Sequence, residues 1–157
     1  MKIRESGMPD ESLWEYFFEP EQILATMQLN HNIVDAFDFG CGYGTFTIPA
    51  SEVIKGKVYA ADIEEAMINR VAQRASEENL ENIETMLCDF IHEGSGLLAE
   101  SVDYVMLFNV LHAEKPEELL KEACRILKPE GKFSTSLKKF PPCFFPDSFT
   151  SNTLPLA

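Results

Sequence analysis

The segment Asp38-Phe39-Gly40-Cys41-Gly42-Tyr43-Gly44 ends an apolar run and gives way to residues that can start a helix. Three glycines at alternate positions, straight after a strand, let the backbone turn sharply and let a ligand approach closer than any Cβ permits. Ile33 to Phe37 reads as the short buried strand before the turn. Thr45 onward through Ile48 and Ala50 reads as the helix after it, with Pro49 limiting its beginning. Alone, such a turn can be no more than a tight strand-to-helix connection; the flanks here supply the strand, turn and helix that a nucleotide-type cofactor site requires.

The alternation continues along the chain. Val58 to Asp62 reads as a second strand, Glu65 to Asn79 as a helix, and Ile83 to Cys88 as a third strand ending at Asp89. Val102 to Phe108 is a fourth strand, Pro116 to Leu127 a helix with proline in its first turn, and Lys132 to Leu137 a fifth strand. Strands alternating with helices of this length call for right-handed crossovers and an α/β fold, a parallel sheet covered on both faces. Ahead of it, Leu13 to Leu29 suggests two helical segments parted by Pro20, one with a stripe of Leu13, Tyr16 and Phe17, the other of Ile23, Leu24 and Met27.

A chain of 157 residues suits one domain. There is no internal repeat, linker or charge block to mark a second module, and His92-Glu93-Gly94-Ser95-Gly96 reads as a loop within the domain. The N-terminus is acidic and no apolar run approaches ~20 residues, so a soluble cytoplasmic protein with no membrane partner is expected. Cys41, Cys88, Cys124 and Cys143 lack close pairing and read as small hydrophobes. The 26 acidic and 13 basic residues give a net charge of −13. Such a surface repels phosphate backbones and disfavours nucleic acid as partner or substrate. Pairs such as Glu77-Glu78 and Glu117-Glu118 belong to solvated helix faces.

Asp62 stands 18 residues after Gly44, at the carboxyl end of the second strand. A carboxylate there can accept from both hydroxyls of a ribose, or cap the helix that begins at Glu64-Glu65. The glycine order is G-x-G-x-G, with Asp38 two residues before the first glycine. An acid beside the turn works against two phosphates and helps to hold a ligand carrying an ammonium group. These features alone do not separate a nicotinamide dinucleotide from another adenosine cofactor.

Five segments in order resemble the class I S-adenosylmethionine-dependent methyltransferases, in their small methyltransferase-domain branch. They are Asp38 to Gly44; Val58 to Asp62; Asp89-Phe90; Val102-Asp103-Tyr104-Val105 with Asn109-Val110-Leu111-His112; and Glu122 through Lys132. The likeness covers residues 31 to 136. It implies a three-layer Rossmann-like fold with strand order 3-2-1-4-5 and S-adenosyl-L-methionine as cofactor. Residues 1–30 would form a helical lid, 31–137 the cofactor-binding domain and 138–157 an irregular tail.

By the same resemblance Asp38 would anchor the methionine ammonium, directly or through water, with the backbone of Gly40, Cys41, Gly42 and Gly44 packed close to the cofactor. Asp62 would bind the ribose hydroxyls, Ile63 would lie beside the adenine, and Asp89 and Phe90 would complete the adenine pocket. Asn109, after the fourth strand, would touch cofactor and substrate. The reaction implied is in-line displacement at the sulfonium methyl by a small-molecule acceptor, which depends on alignment and desolvation. His112 is the candidate general base where the acceptor arrives protonated, its plain alternative being a cap or loop residue. His31 and His92 read as surface or capping residues, no His, Cys and acid combination has metal-site spacing, and Trp14-Glu15-Tyr16-Phe17-Phe18 reads as core or lid packing.

The tail carries prolines at 141, 142, 146 and 155, which oppose a regular helix or a central strand. Family members usually continue with a helix and two more strands, so a C-terminally truncated or frame-altered chain is expected. The fifth strand would then be an edge, open to a second copy of the chain or to the tail. A catalytically impaired cofactor-binding or interaction protein is the alternative expectation.

Overall fold

The computed structural model describes residues 10–12, 19–108, 110, 114–135 and 151–153, the last three by their backbone. Helix α1 spans Pro20–Thr26, with proline at its start where the missing N–H costs nothing, and it buries Leu24. Then follow β1 (Ala36–Phe39), α2 (Thr47–Val53), β2 (Val58–Asp62), α3 (Glu65–Glu77), β3 (Ile83–Leu87), β4 (Val102–Leu107), α4 (Pro116–Ile126), β5 (Leu127–Thr135) and β6 (Ser151–Thr153). The sheet order is β3-β2-β1-β4-β5-β6 and every pairing is parallel. The α/β fold and the order 3-2-1-4-5 expected from the sequence are those observed. Among the described residues, no helix is long and apolar enough to cross a membrane.

Strand alternation divides the core. Phe37 and Phe39 of β1, Val105 and Leu107 of β4 and Phe133 of β5 face one way, onto Leu119, Leu120, Ala123 and Ile126 of α4. Ala36, Val58, Tyr104 and Met106 face the other way, onto Leu24 of α1 and Ala50 of α2. On that second side Ala60 meets Val71 of α3. The result is a sheet between two helical layers. Tyr104 is buried among them, and its hydroxyl donates to the Met27 carbonyl at 2.8 Å, which ties the end of α1 to β4.

Several boundaries differ from the sequence reading by a residue or more, and at three of them backbone groups find other partners. β1 begins at Ala36 rather than Ile33: the Ile33 and Val34 carbonyls accept from Lys55 and Gly56 N–H at 2.9 and 2.7 Å, and the Asp35 N–H donates to the Asp103 carboxylate. Helix α3 stops before Asn79, which takes φ of 55° and lets the Leu80 N–H bond the Ala75 carbonyl at 2.8 Å. β5 starts at Leu127, but its pairing is interrupted: the step from Val102 to Tyr104 in β4 is matched by the longer step from Leu127 to Lys132. Regular pairing thus resumes at Lys132, the residue where the sequence placed the strand. On the β5 edge, Ser151–Thr153 of the tail pairs with Phe133–Thr135, one of the two partners expected there.

Candidate functional site

The carboxyl ends of β1 and β2 build the site through the same alternation. Asp38 follows Ala36 onto the α2 side of the sheet, and Asp62 follows Val58 and Ala60 there. The glycine turn is closed onto β2 by two donors, Gly40 N–H and Cys41 N–H, which share the Ala61 carbonyl at 2.8 and 2.9 Å. Gly40, Gly42 and Gly44 take φ of 70°, 52° and 83°, a region that costs an L side chain. Gly44 N–H bonds the Cys41 carbonyl, and Ile48 N–H bonds the Gly44 carbonyl as α2 begins. A Cβ at Gly44 would lie 3.2 Å from Val71 and 3.3 Å from Ile48, so the turn is packed directly on α2 and α3.

Asp62 is buried, and its two oxygens accept one backbone N–H each at 3.0 Å, Oδ2 from Gly42 and Oδ1 from Glu64. It therefore holds the glycine turn and, through the Glu64 N–H, fixes the backbone that leads into α3. Burial raises its pKa and these two hydrogen bonds lower it, burial prevailing. Asp38 is 3 % exposed, and its Oδ2 accepts the Thr47 hydroxyl at 2.6 Å. Burial first, with the Asp62 charge adding to it and the Thr47 hydrogen bond opposing it, pushes the Asp38 carboxyl up to about 7. The Cys41 thiol is buried against Ala60 and Val71, and burial with the two neighbouring carboxyls raises its pKa.

A third carboxylate follows β3. Asp89 accepts from His92 Nδ1 at 2.8 Å, and its carbonyl accepts from the N–H groups of His92 and Glu93. Partial burial pushes its pKa up, but the hydrogen bonds and charge of His92 outweigh that and leave it lowered. Phe90 turns inward, its ring edge-on to Phe39 at 5.2 Å, while Ile63 stays half-buried beside Asp62. The loop after Phe90 is pinned to α4 by Glu122. Its carboxylate accepts from Ser95 N–H and Oγ at 2.7 and 2.6 Å and from Arg125, which with the ion pair lowers its pKa to about 2.

Asp38, the glycine turn, Asp62, Ile63 and Asp89 thus lie along the carboxyl ends of three adjacent strands, where ligands bind open α/β sheets. Phe90 lies with them, but its side chain belongs to the core and only its backbone can face a ligand. Asn109 and His112 lie outside the described residues, as do Trp14, Tyr16 and Phe17. His31 is exposed in the turn before β1, away from this end of the sheet. Thr47 was not singled out from sequence; its signal is a hydroxyl in the first turn of the helix that follows the acidic glycine motif. Val110 was likewise missed as the side chain that closes over Gly40.

Chemically, the site is an acceptor set. Among the described residues no ion pair joins Asp38 or Asp62 to a basic side chain. Three carboxylates in a row suit a ligand rich in N–H and O–H donors, with a positive charge near Asp38, and oppose a pyrophosphate. No group of three His, Cys, Asp or Glu among the described residues could hold a metal ion.

Residues 36–131 match the family model described as "Methyltransferase domain". A ribosomal protein L11 methyltransferase of Thermoanaerobacter sp. (strain X514) is 34% identical over 100 residues, 64% of this chain and 30% of that one. The aklanonic acid methyltransferase DauC of Streptomyces sp. (strain C5) is 39% identical over 71 residues, 44% of this chain and 31% of that one. The chain thus spans about a third of the length of these curated relatives. A crystal structure of a SAM-dependent methyltransferase from Aquifex aeolicus superposes with a TM-score of 0.70 at 27% identity, covering 85% of this chain and 73% of that one.

Proposed function

Because the chain belongs to the methyltransferase-domain family, we propose that it binds S-adenosyl-L-methionine across the ends of β1, β2 and β3 and directs its methyl group to a small-molecule acceptor. The observation that carries this reading is the row of carboxylates at Asp38, Asp62 and Asp89 around a glycine turn. The cofactor's ammonium, ribose hydroxyls and adenine amino group are all donors, so the acceptor set fits it and does not fit a dinucleotide's phosphates. When bound, the cofactor supplies a sulfonium methyl group whose displacement leaves a neutral thioether.

The protein's own part is binding and orientation. Asp38 takes the ammonium, directly or through water. Each Asp62 oxygen accepts one backbone N–H and keeps a lone pair for a ribose hydroxyl, so one carboxylate shapes the turn and reads the sugar. The backbone at Gly40, Cys41, Gly42 and Gly44 lines the methionine side. Asp89, held by His92, and the Phe90 N–H face the adenine, with Ile63 beside it. Asn109 then stands between cofactor and acceptor, and His112 takes a proton from acceptors that arrive protonated. Residues 1–30 act as a lid over 31–137, and 138–157 form the tail.

The net charge of −13 favours a small acceptor over RNA or DNA. The three-residue β6 favours a second reading, cofactor binding without turnover, because it pairs parallel on the β5 edge where the family usually inserts an antiparallel strand. Incubation with methyl-labelled S-adenosylmethionine, a panel of small nucleophiles, and RNA and protein extracts decides between them. Label in a small-molecule product is expected. Label confined to RNA or protein would contradict the acceptor class, and binding with no labelled product would establish the second reading.

A further inference from the structure

Among the described residues, the charge balance around Asp38 is incomplete, with no basic side chain paired to it. Its carboxyl is buried at the end of β1, between β2 and β4 in the sheet, and it bonds Thr47 of α2. Thr47 of α2, fully buried, gives one neutral hydroxyl at 2.6 Å. Asp62 of β2 gives a second carboxyl, Cys41 of the turn gives a thiol whose pKa is itself raised, and Met106 of β4, paired in register with Asp38, brings no charge. An ionised carboxyl with a single neutral donor and another carboxyl for company is poorly stabilised when buried. A ligand ammonium is the missing counter-charge.

We propose that ligand binding at this site expels a proton from Asp38, and that Thr47, by donating to Asp38 Oδ2, is the positioning residue that sets how readily the proton leaves. The inference rests on the S-adenosylmethionine reading of the same site. In the step the carboxyl O–H bond breaks, its electron pair stays on the oxygen and the proton passes to solvent. The ligand enters already as the ammonium, nothing is oxidised or reduced, and charge is conserved once the released proton is counted. Burial holds the free carboxyl at about 7, so near pH 6.5 most molecules carry the proton. The sign for the free protein follows. A folded pKa above the ordinary 3.8 gives a contribution to stability that is full below that value and lost as pH rises toward 7. Binding of a cation recovers what that rise has removed.

Isothermal titration at pH 6.5 in phosphate and in imidazole, buffers of low and high ionisation enthalpy, counts the protons. With S-adenosylhomocysteine, which keeps the ammonium, release of roughly 0.5–0.8 proton per site is expected from a carboxyl titrating near neutrality. 5′-Methylthioadenosine keeps the nucleoside and lacks the ammonium; it is expected to bind with no release. Thr47→Val removes the donor and is expected to bring the release closer to one proton and to weaken S-adenosylhomocysteine about fivefold, as loss of one hydrogen bond implies. Thr47→Ser is expected to restore the wild-type values. Binding of S-adenosylhomocysteine without proton release, or equal release with both ligands, overturns the proposal while leaving the function reading standing. Thr47→Val and Thr47→Ser both behaving as wild type removes Thr47 from it. Failure of both ligands to bind overturns the function reading and this inference together. Should the Thr47 variants not fold, the two ligands compared on the wild-type chain still decide the proton coupling.

Discussion

Gly40→Ala is expected to abolish cofactor binding and to lower the folding free energy by about 2–5 kcal/mol, summing left-handed strain with core overpacking. Gly40 sits at φ of 70°, and a Cβ there would collide with Val110 Cγ1. The same residue starts the pair of hydrogen bonds to the Ala61 carbonyl that folds the turn back on β2. The added methyl therefore acts on both sides of the turn, against the chain after β4 and against the closure onto β2. Gly96 is the control, since it has φ of 76° but nothing within 4 Å of an added Cβ. Gly96→Ala bears the backbone strain alone, about 1–2 kcal/mol, and leaves binding intact. Urea unfolding and calorimetry on the two variants check this. Equal losses of stability would show that Val110 does not close over Gly40, and wild-type affinity in Gly40→Ala would remove the turn from the site.

Asp62→Ala has the second large expected effect, and its two parts differ. For the fold, the Gly42 and Glu64 N–H groups lose their acceptor, which costs about 1–3 kcal/mol if they stay dry. Relief of a carboxyl whose pKa burial has raised works in the opposite direction, so the net change in stability is small. For binding, the proposed sugar role loses both its acceptors and the turn loses its clamp, so affinity for S-adenosylhomocysteine is expected to fall by about 1–3 kcal/mol, roughly 5- to 150-fold. Thermal unfolding and titration on one preparation separate the two parts. Unchanged affinity in a folded Asp62→Ala protein would remove Asp62 from the sugar role.

Much of this site is legible in the chain because its signals are local. Glycine at alternate positions, an acid just before them and an acid at the end of the next strand are short-range patterns, and the topology of parallel strands carries them to one end of the sheet. The bounds of β2 and the start of α3 follow from the same local pattern. What the sequence hid depends on partners far along the chain. The start of β1 moved because Lys55 and Gly56 claim the Ile33 and Val34 carbonyls. The interruption in β5 is a matter of register with β4, on which periodicity is silent. The packing of the Phe90 ring edge-on to Phe39 is likewise a contact between distant parts of the chain, and it leaves the backbone role read for Phe90 untouched. Thr47 hides because a buried threonine looks like any small core residue until the carboxyl above it is known. The pairing of Ser151–Thr153 with β5 arises in a segment whose prolines and missing period gave no strand signal.

The central claim is that three carboxylates around a glycine turn make a site for a donor-rich, ammonium-bearing nucleoside and not for a dinucleotide. Titration calorimetry of the folded chain with S-adenosylmethionine and S-adenosylhomocysteine, set against a nicotinamide dinucleotide, tests it most directly. Saturable one-to-one binding of both sulfur compounds with no heat from the dinucleotide is the result predicted. Binding of the dinucleotide, with neither sulfur compound bound by a folded sample, would contradict the account.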